Sequence, residues 1–503
     1  MERWHLIAGV VLLYLVATLV IGLLAGRRAS KSVAGYVAAD RQFGLLAMYF
    51  ITGGTVFSAF AFLGGPGWAY SRGVAALYIL SYGVLGMVPL YFLGPKAGRL
   101  GHRYGYVTQA QLVVGRFPSR FLSLLFVTVS VAAFIPYLML QMSGAGIVFS
   151  AVTDGHIPFW LGAALSYGVV IVYVLIGGVA AVGWTNVLQG AFMLVVAWML
   201  GIYIPSSLYG GVGPMFDQIA ELRPELLTLP GLDGAGGTWS WGAYSTAILA
   251  SAVGFVMWPH VFMKSFTAKD EATLRRTVVL FPTFQLFLVP VLLIGFAGVL
   301  YPSAPPSPDF VLPHLVMNSG LPALVVAIFC AGALSASMST GDALLHGAAS
   351  IAVEDGVQPF ARLDDRKRRF LMRVLVVSLG AVAYYLAIIQ QKTLVWLLLT
   401  AYGAIDQLAP PVIAALYWRR ATTAGAIAGL ITGIATVVFF LVRPELRPYE
   451  IHEGILGVVV NTAVLVGVSL FTPPQPAAHA EQFVREGAAE EATPERVQLT
   501  GVV

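Results

Sequence analysis

Thirteen apolar runs, each near the length needed to cross a bilayer, leave this chain few ways to fold. They fall near residues 6–26, 43–70, 73–95, 119–150, 157–179, 183–206, 241–265, 277–301, 317–353, 371–390, 393–417, 423–442 and 453–472. Lipid offers no water to a free N–H or C=O, so runs of this kind predict transmembrane helices and an all-α polytopic membrane protein. Only 11% of the residues are charged, against about a quarter in soluble domains. The first run differs from a secretory leader: its apolar core, Leu6 to Ala25, is too long and its arginines follow it, which predicts a retained helix. The single cysteine, Cys330, forms no internal disulfide.

The positive charges assign the sides. With the N-terminus outside, the inward segments carry Arg27, Arg28, Lys31 and Arg41, the basic residues between Lys96 and Arg120, those between Lys264 and Arg276, and those between Arg362 and Arg373. Arg419, Arg420, Arg485 and Arg496 complete a set of 23 among 29 lysines and arginines. This bias predicts a multi-pass protein of the cell membrane with its N-terminus outside and its C-terminus cytoplasmic. Basic residues confined to short loops speak against a nucleic-acid surface. Residues 1–472 form the transmembrane domain, and 473–503, which lack apolar periodicity, are expected to be a disordered cytoplasmic tail.

The second run is poor helix material. Residues 53–70 read GGTVFSAFAFLGGPGWAY, with five glycines, a proline and the polar Thr55 and Ser58. Irregular backbone at membrane depth persists where it is buried in protein or lines a wet cavity, and its freed carbonyls can ligate cations. Close packing of helices is the alternative use of such glycines. The seventh run has a second weak point, ASAVGFVMWPH at 250–260, with Gly254 before a Pro-His pair. Runs two and seven cross in opposite senses, so five helices from each predict inverted repeats over about 43–206 and 241–417, with extra helices at 6–26, 423–442 and 453–472. In the ninth run Ser335, Ser339, Asp342 and His346 share a helix face, with Ala336 and Thr340 on the adjoining stripe. Hydroxyl and carbonyl oxygens are hard ligands suited to an alkali cation, although serine and threonine also serve as packing residues in membrane bundles.

The stretches FLGGPGWAYSRG (62–73), GGVAAVGWTNVLQG (177–190) and ASMSTGDALL (336–345) resemble motifs of the sodium:solute symporter family, and the resemblance runs from about residue 5 to 470. It implies a LeuT-like fold of about thirteen helices. It also implies a sodium ion held between spans two and nine by the carbonyls of Gly54, Phe57 and Ala336 and the hydroxyls of Ser339 and Thr340. Two departures stand out. Several relatives carry aspartate where Asn186 stands, at a position tied to a second cation or an exit route. Proline-type members carry aspartate where Val56 stands. Both departures lead to the expectation of one sodium ion per cycle and of a pocket unlike that of proline carriers. Spans two and eleven look most like the branch of monocarboxylate and organic-anion permeases.

Thr55, Ser58, Phe60, Phe255 and Trp258, beside the two breaks, are the candidate solute-binding residues, and free N–H groups near Phe57 and Ser58 are expected to meet a carboxylate. Asn186, Asp342, His346 and Asp406 are candidate ion-pathway residues. Asp342 and His346 are expected to pair at the cytoplasmic mouth, with a proton relay or ion exit as the alternative. His260 follows Pro259 and has a kink-filling reading.

No Walker A motif, HExxH or paired cysteines occur, so neither enzyme nor cofactor is expected. There is no channel filter motif, and the stretch after residue 472 is too short to be expected to form a sensor's output domain. What remains is a secondary active transporter: sodium-coupled symport of a small organic solute, foremost a monocarboxylate or related organic anion, in a lipid bilayer. Proton-coupled or sodium-coupled uptake of an amino acid, pantothenate or another solute stays open, as does a solute-gated channel or transport-like sensor.

Overall fold

A computed structural model describes residues 3–28, 32–39, 43–389 and 393–485. Every regular element among them is a helix. Among the described residues, ten helices are long and apolar enough to span a membrane, and the bent pair Trp241–Phe255 and Pro259–Thr267 makes an eleventh. Two of the longest runs divide at glycines. In Phe159–Tyr209 the backbone turns at Gly178 (φ 53°, ψ −144°), where a Cβ would sit 2.7 Å from the Tyr36 carbonyl oxygen. Between Phe60 and Tyr104 it turns at Gly73 (φ 62°), whose Cβ would overlap the Leu226 carbonyl. Left-handed backbone against a neighbouring main chain admits glycine alone. Division at these two points, with Leu45–Val56 taken as the first half of span two, restores thirteen spans.

Span nine, Ala323–Val357, and span eleven, Leu394–Tyr417, are the core of the bundle: 78% of each apolar window is buried, against 28% for span ten, Asp365–Ile389. Spans twelve (Thr423–Val442) and thirteen (Glu453–Phe471) lie against each other because Gly425, Gly429 and Gly433 repeat every four residues along one face. Their missing side chains admit Ser469, Leu465 and Asn461.

The tail begins with structure where disorder was expected. Ala477–Val484 is a helix whose Ala480 and Phe483 are buried. Lys96 Nζ donates to the Val484 and Leu416 carbonyls, each at 3.2 Å, and Phe483 stacks on Tyr104. Two apolar residues three apart were its only trace in the sequence. Residues 486–503 lie outside the described residues, as do Lys31 and Arg41.

Asp309, in the connection between spans eight (Glu271–Gly298) and nine, is buried and accepts the Leu394 N–H at 3.1 Å, which ties that connection to the start of span eleven. Burial raises its carboxyl from 3.8 to about 6. The folded state therefore holds this proton more tightly than the unfolded chain, and the associated stability, about 3 kcal/mol, is present below pH 4 and lost as pH rises through 6. Thermal melts in detergent across that window should show the slope in the native protein and not in Asp309→Asn; an unchanged slope in the variant would assign it to another group.

Candidate functional site

Span two breaks between Val56 and Phe60. Phe57 is extended (φ −88°, ψ 94°), and its N–H closes the first half on the Gly53 carbonyl at 3.0 Å. The second half starts with its donors taken: Phe60 N–H bonds Ser58 Oγ at 3.1 Å, and Ala59 N–H bonds Gln141 Oε1 at 3.0 Å. The N–H groups of Phe57, Ala59 and Phe60 are therefore occupied, because Ser58 caps its own helix and Gln141 reaches in from span four (Arg120–Val152). The glycines divide between both uses. Gly53 and Gly54 precede the break and let spans eight and six come close, since a Cβ on them would lie 2.5 Å from the Phe284 ring and 2.9 Å from the Asn186 carbonyl oxygen. Gly64, Gly65 and Gly67 stay within the resumed helix, where Gly67 packs on the backbone of Pro308.

The first half of span two meets the middle of span nine through oxygen atoms. Ser339 Oγ donates to the Gly54 carbonyl at 2.7 Å and Thr340 Oγ1 to the Thr55 carbonyl at 2.9 Å. Asn186 Nδ2 donates to Thr55 Oγ1 at 3.1 Å and to the Ser339 carbonyl at 2.9 Å. The Ala336 carbonyl lies 3.4 Å from Ser339 Oγ. Gly54, Ala336, Ser339 and Thr340 thus come together, with Thr55 added. Phe57 sits at the break itself, its ring stacked between Phe281 and Phe284. Four of these atoms are main-chain or hydroxyl oxygens that a hydrogen bond now joins in pairs. A cation between the spans would take the lone pairs that the hydroxyl protons now occupy.

Below this contact, Asp342 is fully buried within the protein. Its Oδ2 accepts Tyr173 Oη–H at 2.7 Å and Thr185 Oγ1–H at 3.2 Å. The expected pair with His346 is absent: His346 Nε2 instead meets the Tyr36 carbonyl at 2.8 Å. The short helix Val33–Ala38, capped by Ser32, covers this end of span nine. His346, His260 and Lys264 share a cavity of about 20 Å³, room for about one water, lined also by Val37, Val179 and Val182. Sequence reasoning counted Lys264 among the loop charges. It is buried on the second half of span seven, and its place four residues after His260, on one helix face, was the signal.

The candidate solute residues separate. Thr55 turns to Asn186, and Phe255 packs among Tyr82 and Phe281. Phe60 is buried in the wide first turn of the resumed helix. Ser58 and Trp258 approach a common neighbour, Tyr137, whose ring lies 4.9 Å from that of Trp258 and whose hydroxyl faces Ser58. Gln141 Nε2, buried in this neighbourhood, has no hydrogen-bond partner, and the buried Trp258 indole N–H has only the Tyr402 hydroxyl within reach. Gln141 and Tyr137 were missed; a glutamine in mid-span was the visible sign. Asp406 is buried in span eleven against Gly254 and Gly454.

Comparison with known proteins places this geometry. The profile of the Sodium:solute symporter family matches residues 36–433. An uncharacterized symporter, YhjB, of Bacillus subtilis (strain 168) is 31% identical over 94% of this chain and 99% of its own length. A sodium/pantothenate symporter of Haemophilus influenzae is 27% identical over 86% of this chain and 90% of its own. Among solved structures, a Na+-coupled sialic acid symporter in a substrate-bound outward-open state superposes with a TM-score of 0.79 at 17% identity, covering 94% of this chain and 99% of that one. At that identity the likeness is one of fold, the LeuT-like arrangement.

Proposed function

Because the chain belongs to the sodium:solute symporter family, we propose that it carries a small organic solute into the cell with one sodium ion bound between spans two and nine. The observation that carries this reading is the pair of hydroxyl-to-carbonyl contacts, Ser339 to Gly54 and Thr340 to Thr55, beside the break in span two. Gly54, Phe57, Ala336, Ser339 and Thr340 supply oxygen atoms without a formal charge. Such a site captures an alkali cation and releases it again. Spans two and seven, both bent, take the role of matching helices in inverted repeats over about 43–206 and 241–417, with the N-terminus outside.

The solute sits between the two breaks, against Ser58, Tyr137, Gln141 and Trp258. A carboxylate gives the unpaired N–H group of Gln141 the acceptor it lacks and offers the Trp258 indole N–H a charged acceptor in place of the Tyr402 hydroxyl. We therefore assign a monocarboxylate or related organic anion as the solute class, in keeping with the sodium/pantothenate relative. Purified protein in liposomes, a panel of labelled carboxylates and amino acids, and sodium, potassium or proton gradients imposed one at a time test the assignment. Carboxylate uptake driven by sodium alone supports it. Uptake restricted to solutes without a carboxylate would refute the solute class, and a solute-gated leak would refute the carrier.

Trp258→Phe and Ser58→Ala should change the relative KM of different solutes by about tenfold, about 1.4 kcal/mol, while the sodium concentration for half-maximal uptake changes far less. The same proportional loss for every solute, with weakened sodium dependence, would contradict this division of labour.

A further inference from the structure

Asp406 is completely buried, and neither of its carboxylate oxygens has a hydrogen-bond partner. The chain makes space for it with two glycines: a Cβ on Gly254 would lie 2.4 Å from Oδ1, and one on Gly454 would lie 2.4 Å from Oδ2. One glycine belongs to the first half of span seven, the other opens span thirteen, and Asp406 stands where span eleven tightens over Asp406–Leu408. An ionised carboxylate at such a place needs a counter-charge or hydrogen bonds. The charged and titratable groups around it are few. Glu453, next to Gly454, is held by Arg447 at 3.0 Å and is near His452. On its own span and beyond stand Tyr402 and Tyr82. With each oxygen pressed against a glycine, the ligand that fits is the smallest one.

We propose that Asp406 is a proton-binding site that is loaded from the side of the 443–452 loop as span seven closes over the solute and returns its proton to that side on reopening. The link to the solute runs through Gly254, whose carbonyl accepts the N–H groups of Met257 and Trp258 at 2.9 and 3.1 Å and so shapes the turn that carries Trp258. Tyr402 touches both ends of it, lying beside Gly254 and 5.8 Å from the Trp258 ring. The route to water runs along Gly454, Glu453 and Arg447 to the loop. This inference rests on the carrier reading above. It adds a proton that is not cargo, so the charge carried per cycle stays that of sodium and solute.

The test is sodium-driven uptake into liposomes at fixed inner pH, with outer pH varied from about 5.5 to 9. In the native protein the solute KM should rise with outer pH, by at most roughly tenfold per unit for one linked proton, and should not respond to inner pH. Asp406→Asn, a neutral isostere, should keep a low KM that no longer depends on pH, whereas His452→Gln should keep the native response. If Asp406→Asn does not reach the membrane, Gly454→Ala places a methyl on Oδ2 and should displace the pH response, while Gly467→Ala, in open space on the same span, should not. A native KM indifferent to outer pH, a response retained in Asp406→Asn, one lost instead in His452→Gln, or solute-linked acidification of the lumen would each overturn the proposal. Sodium-driven uptake that persists with no pH response refutes the proton site alone, and uptake that ignores sodium at every pH refutes the sodium reading.

Discussion

Gly54→Leu is expected to reach the membrane and to lose uptake by at least about a hundredfold. The Cβ alone would stand 2.9 Å from the carbonyl oxygen of Asn186, a main-chain atom held inside span six, and the rest of a leucine has nowhere to go. Overpacking of this sort costs about 1–3 kcal/mol, which a large bundle survives as a fold. The damage is local: span two must move away from span six, and the Gly54 carbonyl moves away from Ser339. Gly54→Ala should fall between the two. The amount of protein in the membrane and its melting temperature separate loss of transport from loss of fold. Near-normal uptake by Gly54→Leu would show that the close approach of spans two and six has no part in transport.

Ser339→Ala and Thr340→Ala should each raise the sodium concentration for half-maximal uptake by about tenfold or more, with a smaller effect on solute KM at saturating sodium. Each removes one oxygen from the proposed cation site and leaves a buried carbonyl, of Gly54 or Thr55, without its donor. The second effect costs about 1–3 kcal/mol by itself and needs its own control. Ser337→Ala provides it: Ser337 Oγ donates to the Gln141 carbonyl at 2.6 Å, so its loss breaks a comparable contact between spans nine and four outside the sodium site. Thr340→Ser keeps the oxygen and should restore sodium affinity. If Ser337→Ala raises the sodium requirement as much as the other two, the effect is one of packing.

Much of this could be read from the chain before its fold was known. Hydropathy placed the spans because lipid imposes length and polarity on each helix separately. Gly53, Gly54, Gly254 and Pro259 marked the two bent spans, since those residues weaken a helix whatever surrounds it. The hidden features depend on what one element lays over another. Span nine is longer than a bilayer is thick, which put Asp342 and His346 at a wet surface; the short helix Val33–Ala38 and the second half of span seven cover them instead. Lys264 looked like a loop charge for the same reason. The tail helix rests on two apolar side chains that have meaning only beside Tyr104 and the main chain of Arg116, whose carbonyl His479 meets at 3.1 Å. Gln141 displays its unpaired donor, beside Trp258, only once span four and span seven face each other.

The proposed charge balance follows from the same residues. Asn186 is neutral and the five proposed ligands carry no formal charge, so one sodium ion with one monoanion moves no net charge. Net movement of one charge would make each cycle sensitive to voltage by about 2.3 kcal/mol per 100 mV.

The most direct test of the sodium mechanism is solute uptake into liposomes under a sodium gradient alone, with pH equal on both sides and the membrane potential clamped at zero and then at 100 mV. Accumulation should be driven by sodium, be nearly the same at both potentials for a monoanion, and be lost at low sodium in Ser339→Ala. Full accumulation without sodium under a pH gradient, with Ser339→Ala unaffected, would contradict it.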